Sequence, residues 1–230
     1  MKVRQRKIEL VGVIGSGQIG PDIALFFATA GVSVAVVDVS TAALEAGAKK
    51  LHGKVDRLVA KRRLKPDKAE ALKARVSFGE DYGALAGAQL VIEAASEDLA
   101  IKHAIFAQLE TTCDDDCVFA SNSSHLEPDA LFAEVKDASR CVVTHFFYPA
   151  ERNPVVEVIP GGKTDEALVE ELLALFELTG KLPVRVAPRY GYAIDPVFEG
   201  LCLAAIQAVE RGLGSIAEVD AVAQRELGLT

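Results

Sequence analysis

Val11-Gly12-Val13-Ile14-Gly15-Ser16-Gly17-Gln18-Ile19-Gly20 decides the fold, because an apolar strand there runs into Gly-x-Gly-x-x-Gly and then into a helix. In that arrangement Gly15 permits the tight turn, Gly17 lets backbone approach a pyrophosphate, and Gly20 lets helix and strand pack closely. Gln18 and Ile19 complete the turn, and the helix N-terminus faces the phosphates. A second Val-rich strand follows and ends in Asp38. A carboxylate there accepts hydrogen bonds from both hydroxyls of an adenosine ribose and repels a 2′-phosphate, which favours NAD over NADP. A flavin dinucleotide fits the same turn, and a ligand-free glycine turn is the plain alternative.

Working outward, short Val- and Ile-rich runs alternate with segments of helical period, the pattern of β-α-β units in a mainly parallel sheet. The runs predict strands at Lys7–Ile14, Ser33–Asp38, Arg75–Phe78, Leu90–Glu93, Cys117–Ser121, Arg140–Phe146, Val155–Ile159 and Leu182–Val186. Helices are predicted at Gln18–Thr29, Thr41–Arg63, Pro66–Ala74, Leu99–Thr112, Asp165–Leu178, Tyr192–Arg211 and Ile216–Leu227. The fold class is α/β, a Rossmann-type doubly wound sheet. Ala187-Pro188-Arg189-Tyr190-Gly191 reads as a hinge, after which no strand follows. It divides the chain into residues 1–188 and a short all-α domain, 189–230. The pattern of the last helix stops without a glycine cap, so the small domain reads as truncated or completed by oligomerisation.

Composition limits the partners. The 230 residues carry 25 Lys and Arg against 33 Asp and Glu, a formal charge of −8, which disfavours nucleic acid because phosphate neutralisation needs a basic face. No apolar run reaches membrane-spanning length and the basic start Met1–Lys7 leads straight into the first strand, so neither a membrane segment nor a signal peptide is expected. Four sparse cysteines, none at zinc-finger spacing, point to reduced intracellular thiols, a cytoplasmic protein and no metal site; a redox pair at Cys113 and Cys117 is the sharper reading.

Two polar groups interrupt apolar strands. His145 closes the strand through Cys141–Val143, where ligands sit in open α/β sheets, and Glu157 lies inside Val155-Val156-Glu157-Val158-Ile159. A buried carboxylate needs a partner, and an imidazole that accepts a proton needs a carboxylate to fix its tautomer. The two needs can meet in one dyad; a core histidine and a strand-edge charge are the alternatives. Ala120-Ser121-Asn122-Ser123-Ser124-His125 follows another strand, and its hydroxyls and amide can bind a substrate oxygen or cap a helix.

Together with Val91-Ile92-Glu93-Ala94, Glu97, Lys102, and His145-Phe146-Phe147 followed by Pro149, these motifs make the chain resemble the L-3-hydroxyacyl-CoA dehydrogenase family over essentially its whole length. The resemblance implies that His145 is the general base for the substrate 3-hydroxyl, Glu157 its orienting partner and Ser124 the ligand of the reacting oxygen, while Glu97 and Lys102 line the nicotinamide side. It implies a helical arm that binds coenzyme A, here Thr41–Arg63 continuing into Pro66–Ala74, with Lys54, Lys61, Arg62 and Arg63 toward its tip. A solvated helix face is the plain reading of those cations. Two positions depart from the family: Tyr148 and Asp195 stand where it has asparagines that hold the substrate, so both are taken as substrate-contacting. The expected function is NAD-dependent interconversion of a 3-hydroxyacyl-CoA and its 3-oxoacyl-CoA in fatty-acid β-oxidation chemistry, by a homodimer. The alternatives are a dehydrogenase of another 3-hydroxy acid or acyl-CoA, and a dinucleotide-binding module without turnover.

Overall fold

A computed structural model describes residues 7–228 of the chain. Most of the predicted N-terminal stretch, Met1–Arg6, and the last two residues lie outside them. The described chain divides into two compact units between Tyr190 and Gly191.

The first unit is one eight-stranded sheet of order β3-β2-β1-β4-β5-β6-β7-β8. Its strands are β1 (Leu10–Ile14), β2 (Ser33–Val37), β3 (Val76–Gly79), β4 (Leu90–Glu93), β5 (Val118–Ser121), β6 (Cys141–Phe146), β7 (Val155–Pro160) and β8 (Leu182–Arg185). All pairings are parallel except β6 with β7. The chain builds outward from β1 through β2 to β3, then returns to the other side of β1 with β4. That reversal opens a crevice beyond the carboxyl ends of β1 and β4, where ligands bind in open α/β sheets. β1 begins at Leu10 rather than Lys7, since the side-chain oxygen of Gln89 takes the Glu9 and Leu10 N–H groups at 2.8 and 3.0 Å.

Helices cover the sheet: α1 (Gly20–Thr29), α2 (Thr41–Ala60), α3 (Pro66–Lys73), α4 (Leu99–Thr112), α5 (Pro128–Leu131) and α6 (Glu166–Leu178). α2 forms because Ser40 caps it, its side chain accepting from Ala43 N at 3.2 Å, and because Leu44, Gly47, Leu51 and Val55 repeat on one face and are buried. Burying each such aliphatic side chain stabilises the fold by about 1.5–3 kcal/mol. The helix stops at Ala60, short of the predicted Arg63. Arg62 takes a left-handed φ of 55° and turns the chain into α3. Single helical turns at Tyr82–Leu85, Pro128–Leu131 and Ala138–Arg140 were not predicted, being too short to show a period.

The second unit holds α7 (Ile194–Glu210) and α8 (Ile216–Leu227), neither with a buried residue. α8 begins with a Ser215–Glu218 capping box and, against the expectation of an uncapped end, finishes at Gly228 in a left-handed conformation, φ 68°. Among the described residues no helix is long and apolar enough to cross a membrane.

Candidate active site

The glycine turn takes its shape from backbone. Gly15 has φ 103°, and a Cβ there would lie 2.5 Å from the Ala94 carbonyl oxygen; a Cβ on Gly20 would lie 1.9 Å from the Gly15 carbonyl oxygen. Gly17 has nothing within 4 Å of where its Cβ would be, so this position alone of the three faces open space. Gln18 beside it is exposed, and Ile19 is half-buried against the core. Asp38, one residue past β2, accepts from Ser16 N at 2.7 Å and Ser40 N at 2.9 Å. Ser16 Oγ is buried with no hydrogen-bond partner, and no side chain caps the N-terminus of α1. An open glycine, an orphaned hydroxyl and an uncapped helix start fit the pyrophosphate of a dinucleotide, and Asp38 stands where its ribose would fall. Sequence reading missed Gly47 on α2, where a Cβ would come 2.1 Å from Ser16 Oγ. Only glycine lets the arm pack against the turn.

The carboxyl end of β4 carries a buried ion pair. Glu93 and Lys102 are 0% and 1% exposed, with Lys102 Nζ 2.7 and 2.8 Å from the two carboxylate oxygens. Ser121 Oγ and Ala95 N also donate to Glu93, at 2.6 and 2.7 Å. Lys102 continues to Glu97 at 3.2 Å, and Glu97 accepts from Ser123 Oγ and from Ser124 N. Burial works to raise the Glu97 carboxyl, but the Ser123 hydrogen bond and the Lys102 charge outweigh it and hold the group below the usual carboxylate range. Lys102 therefore needs correction as a cofactor contact: its ammonium is turned into a buried pair, and it acts behind Glu97. Glu93 was not singled out, although it gives the signal that flagged Glu157, an acid inside an apolar strand.

At the end of β6, the antiparallel register with β7 sets His145 opposite Glu157. His145 Nδ1 lies 2.8 Å from Glu157 Oε2, with the residues 6% and 3% exposed. A carboxylate only accepts, so Nδ1 carries the proton and the lone pair sits on Nε2, the tautomer a general base needs. Asn122, the amide of the polar cluster after β5, is turned to neither of the uses expected of it and locks the strand end: its Oδ1 accepts from Phe146 N at 2.8 Å while its backbone N–H donates to Glu93 O at 2.7 Å. Ser124 sits half-buried in the same loop.

A cleft of about 420 Å³ opens between α2 and the loop after β6, lined among others by Lys54, Arg57, Lys61, Tyr148, Glu151 and Arg152. Lys61 is exposed at its rim. Lys54 is not a free cation, which corrects its expected use on a phosphate: its Nζ is held by Asp22 at 2.7 Å and Glu151 at 2.6 Å. Burial opposes its charge, but the hydrogen bonds to both carboxylates outweigh that and raise its pKa. Asp22, itself buried, also pairs with Lys50 at 3.0 Å. Tyr148 is exposed, with Lys50 and Lys54 at 5.1 and 5.8 Å from its ring centroid. Asp195 belongs to the second unit, in the first turn of α7.

Residues 10–189 match the family described as 3-hydroxyacyl-CoA dehydrogenase, NAD binding domain. A 3-hydroxyadipyl-CoA dehydrogenase of Escherichia coli is 35% identical over 214 residues, 93% of this chain but only 45% of that protein. A 3-hydroxybutyryl-CoA dehydrogenase of Mycobacterium tuberculosis is 35% identical over 217 residues, 93% of this chain and 75% of that protein. Among solved structures, (S)-3-hydroxybutyryl-CoA dehydrogenase from Ralstonia eutropha superimposes with a TM-score of 0.91 at 29% identity, covering 97% of this chain and 79% of that one.

Proposed function

The chain belongs to the 3-hydroxyacyl-CoA dehydrogenase family through its NAD-binding domain, and from that premise we propose that it interconverts a 3-hydroxyacyl-CoA and the corresponding 3-oxoacyl-CoA. The observation that carries the reading is the buried His145–Glu157 dyad at the rim of a crevice whose other side is the glycine turn and Asp38. NAD, when bound, supplies the hydride acceptor. Gly15, Gly17, Gln18, Ile19 and Gly20 would hold its pyrophosphate, Asp38 its adenosine ribose, and Glu97 with Lys102 behind it would border its nicotinamide end.

His145 takes the 3-hydroxyl proton on Nε2, and Glu157 stabilises the resulting imidazolium. Ser124 donates to the reacting oxygen. Lys61 would bind the phosphates of the CoA handle, with Arg57 and Arg152 on the same cleft; these cations concentrate positive charge on a chain of net −8. Tyr148 would face the acyl thioester, and Asp195, in the first turn of α7, is kept as a substrate-contacting residue. Residues 1–188 would form the NAD-binding domain and residues 189–230 a helical dimerisation domain. Exposed Val197, Phe198, Leu203 and Ile206 on α7 favour burial against a second copy, and the protein is taken to act in the cytoplasm.

The test is loss of NADH absorbance with acetoacetyl-CoA as acceptor, beside an NADH binding titration on the same preparation. Binding with turnover is the expected result. Binding without turnover of any acyl-CoA overturns the dehydrogenase reading, and absence of binding overturns the cofactor as well.

A further inference from the structure

We infer that His125 is a titrating counter-ion of Glu97 that sets whether the crevice favours the oxidised or the reduced form of its nicotinamide cofactor; this rests on the function proposed above. His125 directly follows Ser124 on the loop after β5, and no step of the proposed reaction uses it. Its Nδ1 lies 3.7 Å from Glu97 Oε1, the oxygen that already accepts from Ser123 and Ser124. Its side chain is 36% exposed, so protons reach it from solvent. The ring packs on Tyr190, centroids 5.3 Å apart and planes inclined by 47°, which restrains the imidazole on the Glu97 side.

The groups facing it define the charge at stake. From the loop after β4 comes Glu97, from α4 comes Lys102 behind Glu97, from the end of the first unit comes Tyr190, and its own loop carries Glu127. Glu93, Glu97 and Lys102 together hold two negative charges and one positive. That cluster is singly negative while the imidazole is neutral and becomes neutral when His125 is protonated.

A dinucleotide in a doubly wound sheet spans the point where strand order reverses. With its adenosine end at Asp38 beyond β2, such a cofactor would have its nicotinamide end on the side of β4 and β5, whose following loops carry Glu97 and His125. The nicotinamide ring is cationic in NAD⁺ and uncharged in NADH. A singly negative cluster therefore favours NAD⁺, and protonating His125 removes that preference. Linkage makes the effect reciprocal: the imidazole must hold its proton more tightly beside NADH than beside NAD⁺.

His145 is a second imidazole in the crevice, so the experiment is run in the full chain carrying His145→Gln, with and without His125→Gln. Dissociation constants of NAD⁺ and NADH are measured at about pH 5.5 and about pH 8. With His125 present, the ratio Kd(NAD⁺)/Kd(NADH) is expected to rise about threefold on acidification, and with His125→Gln to stay flat. Proton NMR of the imidazoles gives an independent reading. The resonance lost in His125→Gln should titrate about half a pH unit higher with NADH than with NAD⁺, the same threefold factor expressed as a pKa difference. An unchanged pH dependence in His125→Gln, or equal midpoints in the two complexes, overturns the inference alone. Failure of the wild-type chain to bind either nucleotide overturns the proposed function, and this inference with it.

Discussion

The two halves of the crevice are built from different materials. On the β1–β2 side the working surface is backbone: the Gly15–Gly20 turn, the uncapped start of α1, and Asp38 bonded to the N–H groups of Ser16 and Ser40. On the β4–β6 side it is side chain, with Glu93–Lys102 and His145–Glu157 both buried as acid–base pairs and Asn122 tying one strand end to the next. A backbone cradle is changed by adding atoms to it. A buried pair is changed by removing either member, because the survivor is left charged or unpaired in a place without water. The two halves should therefore fail differently.

The largest expected effect divides chemistry from cofactor binding. His145→Gln should lower turnover of acetoacetyl-CoA by about 10³-fold, within the range for a lost general base, while NADH affinity changes by less than about threefold. If affinity fell in step with rate, His145 would be part of the cofactor cradle and the division between the halves would be wrong.

Next in size is Lys102→Met, which leaves Glu93 buried without its cation. Unfolding in urea should show a loss of about 3–5 kcal/mol, and adding Glu93→Gln should recover much of it because no uncompensated charge remains. A single variant as stable as the wild type would mean that Glu93 is solvated or protonated, and that this half is not held by charge.

The contrast also governs what could be read from sequence. The β1–β2 half is local: its three glycines and the acid closing the next strand encode backbone conformation directly, and the strand, turn and helix expected from them are present. The His145–Glu157 pair was legible for a related reason. The residues are 12 apart on sequential strands, and each interrupts an apolar run. Lys54 was misjudged because its partners lie 32 and 97 positions away on α1 and on the loop after β6, and no periodicity links them. Lys102 was placed on the nicotinamide side by family resemblance, and nothing in its local sequence marks the buried pair it makes with Glu93, nine positions earlier on β4. The glycine cap of α8 at Gly228 was missed, since a capping glycine two residues from the end of the sequence has little pattern after it to mark it.

Asp38→Asn tests the backbone half by altering charge and keeping shape. The amide oxygen can still accept from Ser16 N, so NADH binding should weaken only slightly. Repulsion of a 2′-phosphate is lost, and the preference for NADH over NADPH should fall about tenfold in paired binding titrations. Unaltered discrimination would remove Asp38 from the ribose site.

The smallest effect concerns how the side-chain half is supported from behind. Lys181 is 8% exposed, donates to Ala150 O and Asn153 O at 2.5 Å each, and lies 4.5 Å from the centroid of Phe26. It thereby ties down the loop that follows His145. Burial pushes its pKa down to about 8, whereas a lysine in the unfolded chain titrates near about 10.4. Below pH 8 both states are protonated, and the folded protein bears the cost of a buried ammonium in full. Between about 8 and about 10.4 the unfolded chain binds more protons than the folded one, so this group makes stability rise with pH across that window. Lys181→Met removes the charge and the rise together. The difference in urea midpoint between variant and wild type should shift toward the wild type as pH is raised from about 7 to about 9.5. A difference independent of pH would mean that the two carbonyls hold the ammonium charged throughout, and that the loop behind His145 rests on a permanent charge.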